Sequence, residues 1–335
     1  MVEPFTNEMS PDALPHHPAM RAWCEFQRAW IEPGRIEALK VEQKAATYRL
    51  NGVGPSGASV IAKRCRTATA RVERMIYTQF LPRVPVPRLA CYGFLEEPGG
   101  EFCWLFLEEA SGEMYSPQCA EHRALAGRWL GTLDLTPLAA ELQAQLPDRR
   151  PDYYLQRLRT VRAKLGEHLD SRALGADELQ VLRTVSAHCD ALESRWDEVK
   201  DCCAAMPSTL VHCDFVVKNL RVRDGATGPE LLVFDWELAG WGVPATDLAQ
   251  VVGHTVSPDL SVYASVMQRD FGDLDARIIQ RVADCGRLLR LVDELYWASA
   301  LMTRDTYEFL KRPVVHFRMY EPQLAAALAE GGQGG

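Results

Sequence analysis

Residues 211–219 read Val211-His212-Cys213-Asp214-Phe215-Val216-Val217-Lys218-Asn219, and residues 231–237 read Leu231-Leu232-Val233-Phe234-Asp235-Trp236-Glu237. The first stretch sets an imidazole, a carboxylate and an amide at H-x-D-x-x-x-x-N spacing; the second adds another carboxylate, Asp235. Phosphoryl transfer needs little else from a protein, because its demands are positioning and charge neutralisation. One carboxylate must hold the attacking hydroxyl and take its proton, while an amide and a second carboxylate hold the Mg²⁺ that bridges the phosphates. Asp214 is thus the candidate base and His212 a brace of its loop. Asn219 and Asp235 are the candidate Mg²⁺ ligands.

The flanking pattern says how these groups are carried. Residues 208–211 and 231–234 are apolar, strand-like runs, and the polar turn 223–228 separates them. They predict a catalytic hairpin over 208–237 that gathers Asp214, Asn219 and Asp235. The competing reading is two surface strands with capping Asp and Asn residues. Upstream, 35–40, 47–51 and 59–63 read as strands, with a glycine-rich turn at 52–57. Lys63 closes the run Val60-Ile61-Ala62-Lys63, and Glu73 falls one turn inside a helix expected over 67–81. A strand-borne Lys fixed by a helix Glu aligns nucleotide phosphates. Otherwise Lys63 ends an exposed strand and Glu73 faces water. Three prolines stiffen 81–87, and 88–95 and 102–108 read as further strands. Helical periodicity follows over 119–133, 151–168, 176–199, 246–254 and 277–303, and a short amphipathic helix precedes over 18–31. Residues 1–17 read as loose.

On these residues, and on Gly242-Val243-Pro244-Ala245-Thr246-Asp247-Leu248-Ala249 after the second carboxylate, the chain resembles the aminoglycoside phosphotransferase and choline kinase family of small-molecule kinases. The similarity extends weakly upstream to about Arg35. It implies an α+β, protein-kinase-like fold of two lobes. Residues 1–34 would form an N-terminal extension and helix, 35–108 a nucleotide-binding N-lobe, and 109–335 a helical C-lobe carrying the hairpin and the substrate site. It also implies that the polar exit Glu108-Glu109-Ala110 is the hinge whose backbone contacts adenine, and that ATP and Mg²⁺ are the cofactors. The loop that should cover the phosphates, residues 41–47, has no glycine; Ala45 and Ala46 are its smallest residues. Cys213 stands where the family usually has Gly, and Trp236-Glu237 stands where protein kinases have Phe-Gly. Lys218 reads as a phosphate contact or as a solvated side chain. Asp247 reads as a helix cap or as a brace of the catalytic loop.

The 335 residues carry 37 Lys and Arg against 45 Asp and Glu, a net charge of −8. That balance argues against a nucleic-acid-coating surface and suits a cationic small substrate or simple solubility. Ten cysteines without a C-x-x-C pair, and an N-terminus without signal-peptide character, point to reduced thiols in a cytoplasmic protein with no membrane segment.

Only eight residues separate Asp235 from Pro244, too few for the activation segment of a protein kinase. The acceptor is therefore expected to be a small hydroxyl compound: an aminoglycoside, macrolide, nucleoside antibiotic, choline-like amine or sugar. Asp284, Asp293 and Glu294 beside Tyr296 and Trp297, together with Trp241, are its candidate contacts, suited to a cationic or sugar-like ligand. The same carboxylates also fit the solvated face of an amphipathic helix. Two other functions share the motifs. One is a catalytically silent, kinase-like binding protein, which the glycine-free loop favours. The other is a non-haem iron site built from His212, Asp214 and His254.

Overall fold

The computed structural model describes residues 16–32, 34–42, 45–250, 254–272 and 274–331. Its first elements are α1 (Pro18–Gln27), β1 (Arg35–Val41), β2 (Ala46–Asn51), β3 (Val60–Arg66), α2 (Thr67–Met75), β4 (Cys91–Glu96), β5 (Phe102–Glu108) and β6 (Glu113–Met114). There follow α3 (Ala120–Leu135), α4 (Ala140–Gln143), β7 (Asp148–Arg149), α5 (Pro151–Gly166), α6 (Ala176–Ser194), α7 (Trp196–Ala204) and β8 (Thr209–Val211). The last are β9 (Leu220–Gly225), β10 (Gly228–Val233), β11 (Gly240–Gly242), α8 (Ala245–Leu248), α9 (Leu260–Met267), α10 (Ala276–Ala300) and α11 (Tyr307–Gly331). The fold is α+β. Two compact units divide it: the chain through Met114 joined by 219–238, and 115–218 joined by 239–335.

The first unit is built on an antiparallel sheet of order β1-β2-β3-β5-β4. Side chains alternate across a strand, so neighbours in β3 serve opposite faces. Val60 and Ala62 pack with Leu50, Trp104 and Phe106 onto Ala19, Met20 and Trp23 of α1. Trp23 meets Phe106 edge-on at 5.0 Å. The alternate residues Lys63 and Cys65 face the other side, where Cys65 packs with Ala70 of α2 and with Cys103. One register step thus separates a greasy core from a buried ammonium. Gly93 permits the close seat of α1, because a Cβ there would stand 1.9 Å from the Phe26 ring. A second sheet, β10-β9-β6, completes this unit.

This arrangement corrects the expected 208–237 hairpin. The strands that pair are β9 and β10, in register Leu220↔Val233, whereas β8 pairs with β11 in the other unit. Leu220-Arg221-Val222-Arg223 alternates apolar and basic residues, the pattern of a half-buried strand, and the run of arginines hid it. The expected lobe limit at Glu108 also differs from the unit's end at Met114, because β6 pairs with β9.

In the second unit α10 packs against α5, α8 and α11, while α3 packs against α9. Gly286 of α10 lets α8 lie on it directly, since a Cβ would fall 1.7 Å from the Ala245 carbonyl oxygen. Three helices depart from expectation. The 176–199 helix breaks at Arg195 into α6 and α7. The 67–81 helix ends at Met75 and widens into a looser turn over Ile76–Phe80. The 246–254 helix is only the single turn α8, with His254 in a separate turn and 251–253 outside the described residues. The reading of 1–17 as loose falls almost wholly outside them too. Among the described residues no helix is long and apolar enough to cross a membrane.

Tyr263 of α9 donates to Asp134 of α3 at 2.7 Å. Burial pushes the Asp134 carboxyl up to about 8, against the pull of the Tyr263 and Thr209 hydroxyls, and the nearby Asp247 carboxylate adds to the rise. A carboxyl raised in the folded state binds its proton more tightly there than in the unfolded chain. Its stabilisation is complete below its ordinary pKa of 3.8 and fades as pH climbs through about 8. Asp134→Asn is therefore expected to lose less stability than wild type between pH 6 and 9, by roughly 2 kcal/mol. Urea unfolding at the two pH values measures it; parallel pH profiles would contradict the assignment.

Candidate active site

The first unit presents a compact charge cluster. Lys63 Nζ lies 3.0 Å from Glu73 Oε2 and 3.2 Å from Glu237 Oε2, and it hydrogen-bonds Asp235 Oδ1. Lys63 is nearly enclosed and Glu73 is 0% exposed. Burial alone would lower the Lys63 pKa, but Glu73, Asp235 and Glu237 outweigh it and hold the ammonium well above its ordinary range. For Glu73 burial raises the pKa, and Lys63 pulls it back. The other Glu73 oxygen accepts the Trp236 backbone N–H at 3.3 Å. One buried carboxylate thus fixes both the lysine and the chain just after Asp235.

Asn219 and Asp235 flank the base of the β9–β10 hairpin, where the Phe234 N–H donates to the Asn219 carbonyl at 3.1 Å. Asp235 adopts φ +69°, a left-handed turn off the end of β10. Around Lys63, three carboxylates face one ammonium, and the side chains of Asp235 and Glu237 are each 30% exposed. Asp235 and Glu237, with the Asn219 amide at the other side of the hairpin base, are hard oxygen donors of the kind Mg²⁺ takes, and two carboxylates suffice because that ion keeps waters and needs few protein ligands. The residues present fit the ion. Glu237 was not singled out from the sequence as a ligand, although its place two residues after Asp235 in a tight turn was the available signal.

The second unit carries the loop of the H-x-D motif. The Asp214 side chain is 14% exposed, and Lys218 Nζ stands 3.1 Å from its Oδ2. The Asp214 N–H donates to His212 Nδ1 at 3.3 Å, so the buried imidazole fixes the loop from within. Asp247 accepts the N–H of His212 at 2.6 Å and that of Cys213 at 3.0 Å. It braces the loop and does not cap α8, whose N-cap is Pro244. Cys213 adopts φ +60°, which explains why glycine suits this position. Arg290 of α10 donates to the Cys213 carbonyl at 2.9 Å and pairs with Glu294 at 3.0 Å. Sequence reading missed Arg290, because a helical arginine gives no sign of a backbone partner 77 residues away.

Glu108 ends β5; its N–H donates to the Ala90 carbonyl, its carboxylate accepts from the Ala90 N–H and from Arg223, and Ala110 lies two residues beyond. Ala46 opens β2 and Ala45 precedes it, with the Glu42 N–H on the Ala45 carbonyl, and residues 43 and 44 fall outside the described residues. Trp241 in β11 lines a groove with Leu146, Asp148 and Arg150. Asp284 accepts from Gln280 on the surface. Asp293 corrects the expectation of an open substrate carboxylate: it is 3% exposed and bound to Arg157 at 2.7 Å. Glu294 also accepts the Tyr320 hydroxyl at 3.1 Å. The iron site is not assembled either. His254 is exposed, and among the described residues no three His, Cys, Asp or Glu side chains are grouped to hold a metal ion.

Both oxygens of Asp247 hold loop amides, and an amide side chain can offer only one acceptor. Asp247→Asn is expected to cost about 1–3 kcal/mol of stability. Denaturant titration tests this, and an unchanged midpoint would remove Asp247 from the loop's support.

No curated protein matches the chain significantly. Several solved structures share its fold. A Plasmodium vivax ethanolamine kinase is 14% identical, with 88% of this chain and 83% of that one aligned at a TM-score of 0.57. A spectinomycin phosphotransferase bound to ADP and spectinomycin is 10% identical over 89% and 94% of the chains, with a TM-score of 0.61. A choline kinase from Cryptosporidium parvum Iowa II is 12% identical over 89% and 91%, with a TM-score of 0.55. Residues 35–285 match the model of the phosphotransferase enzyme family APH, and the chain belongs to that family of small-molecule kinases.

Proposed function

We propose that the protein transfers the γ-phosphoryl group of a nucleoside triphosphate, with Mg²⁺, to a hydroxyl of a small molecule. The observation that carries this reading is the Lys63–Glu73–Asp235–Glu237 cluster, a fixed ammonium beside surplus carboxylates. A relative of the same fold solved with ADP supports nucleotide use. Ethanolamine, choline and spectinomycin kinases of that fold support a small hydroxyl acceptor.

In this mechanism Asp214 accepts a hydrogen bond from the acceptor hydroxyl and takes its proton as the oxygen bonds to the γ-phosphorus. The bond from that phosphorus to the β-phosphate oxygen breaks, and the nucleoside diphosphate leaves with the electron pair. Lys63, held by Glu73, pairs with the phosphates. Asn219 and Asp235, with Glu237 beside them, would hold Mg²⁺, which when bound would neutralise charge on the phosphates. Lys218, whose ammonium stands 3.1 Å from Asp214, would offset negative charge beside the base. A nucleotide requirement and ten cysteines without a disulfide support a reducing compartment such as the cytoplasm.

A screen of hydroxyl compounds for ATP-dependent mass gain tests the reading, and failure across nucleotides and acceptor classes would oppose it. Once turnover is found, Asp214→Asn is expected to reduce it by about 10³-fold or more while Mg-nucleotide affinity stays within a few-fold. Near-normal turnover in that variant would exclude Asp214 as the base. Asp235→Ala is expected to abolish the Mg²⁺-dependent part of nucleotide binding. Calorimetry with and without Mg²⁺ decides it, and an unchanged metal dependence would leave Asp235 a structural role only.

A further inference from the structure

The helix expected to offer carboxylates and aromatic faces to a cation does so, but the cation is the protein's own. The Arg157 guanidinium carbon lies 4.5 Å from the centroid of Tyr153, 4.3 Å from that of Tyr296 and 5.1 Å from that of Trp297. Its Nη1 donates to Asp293 at 2.7 Å. Three rings and one carboxylate make a complete receptor for a monovalent organic cation, because ring faces attract positive charge and the carboxylate neutralises it. Arg157 and Asp293 are buried, whereas Trp297 is 45% exposed, so one wall of the receptor meets solvent. The receptor also adjoins the catalytic loop. Asp293 is 3.9 Å from Arg290, which holds the Cys213 carbonyl, and Tyr154, next to Tyr153, places its hydroxyl 3.6 Å from Cys213 Sγ.

We propose that Arg157 is a specificity-determining residue: it fills a cation receptor beside the catalytic loop and so withholds it from cationic acceptors. This rests on the reading of the protein as a small-molecule kinase and narrows its acceptor. The part of the acceptor that approaches α5 and α10 carries neutral hydroxyls or negative charge, not an ammonium. Arg149 reinforces the bias, with its guanidinium 4.3 Å from the same Tyr153 ring. The net charge of −8, which by itself suits a cationic substrate, therefore does not describe this locale.

The test is a gain of binding and needs no turnover, so it is separable from the kinase reading. Full-length wild type, Arg157→Ala and Arg157→Met are titrated calorimetrically with methylguanidinium and with tetramethylammonium. Arg157→Ala opens the receptor and is expected to bind at least one of these cations about 10-fold or more tighter than wild type. Arg157→Met keeps the volume filled without charge and is expected to bind like wild type. Equal affinity in wild type and Arg157→Ala, or no binding to either, would overturn the proposal. If Arg157→Ala does not fold because Asp293 is left unpaired, Arg157→Ala with Asp293→Asn removes that charge and keeps the three rings. Tetramethylammonium should then raise the Tm of the double variant saturably and leave that of wild type unchanged; identical responses would likewise overturn the proposal. If the kinase screen fails while Arg157→Ala gains the cation, the receptor stands and only its link to an acceptor is lost.

Discussion

A single buried carboxylate organises the first unit. Glu73 has no contact with solvent, and its two oxygens hold the Lys63 ammonium and the Trp236 amide. An unpaired charge at such depth would be severely unfavourable, so the pair is obligatory once either member is buried. The rest follows from that need. β3 must deliver Lys63 to the α2 side, which leaves Val60 and Ala62 for the core against α1. The end of β10 must turn sharply enough to offer its amide, which Asp235 achieves at φ +69°. The carboxylates of Asp235 and Glu237 are thereby presented around the same ammonium.

The second unit solves a different problem: it holds a loop by its backbone. Asp247 takes two of the loop's amides, Arg290 supplies a donor to its carbonyl, and His212 closes it from inside. None of these supports must touch a ligand to matter, because together they fix the geometry of the loop that carries Asp214. Helix packing sets their reach. α8 brings Asp247 into range only because Gly286 admits close contact, and α10 carries Arg290 one turn further along the same helix.

What the sequence made legible were motifs of short, fixed spacing. His212, Asp214, Asn219 and Asp235 stand out as a motif, and the order of strand, lysine, helix and glutamate places Lys63 and Glu73 on the right elements. The five strands of the main sheet were also readable, within about three residues at each end, from apolar runs between turn residues. Partners distant in sequence were not. Asp293 next to aromatic residues looks like a ligand site until Arg157, 136 residues away, is found inside it. The β9 strand was masked by its arginines, whose alternation with Leu220 and Val222 carried the signal. Arg290 is ordinary in sequence and acquires its role only through packing.

Cys213 has a consequence of its own. A left-handed backbone at a residue with a Cβ costs about 1–2 kcal/mol, which glycine would avoid. Glycine, however, samples far more conformations in the unfolded chain and loses them all on folding. With Cys213 the loop gives up less chain entropy and carries more strain, and its buried neighbours hold that strain in place. The loop behaves as a set spring: its shape is imposed by its surroundings, and it would relax in any state that loosened them.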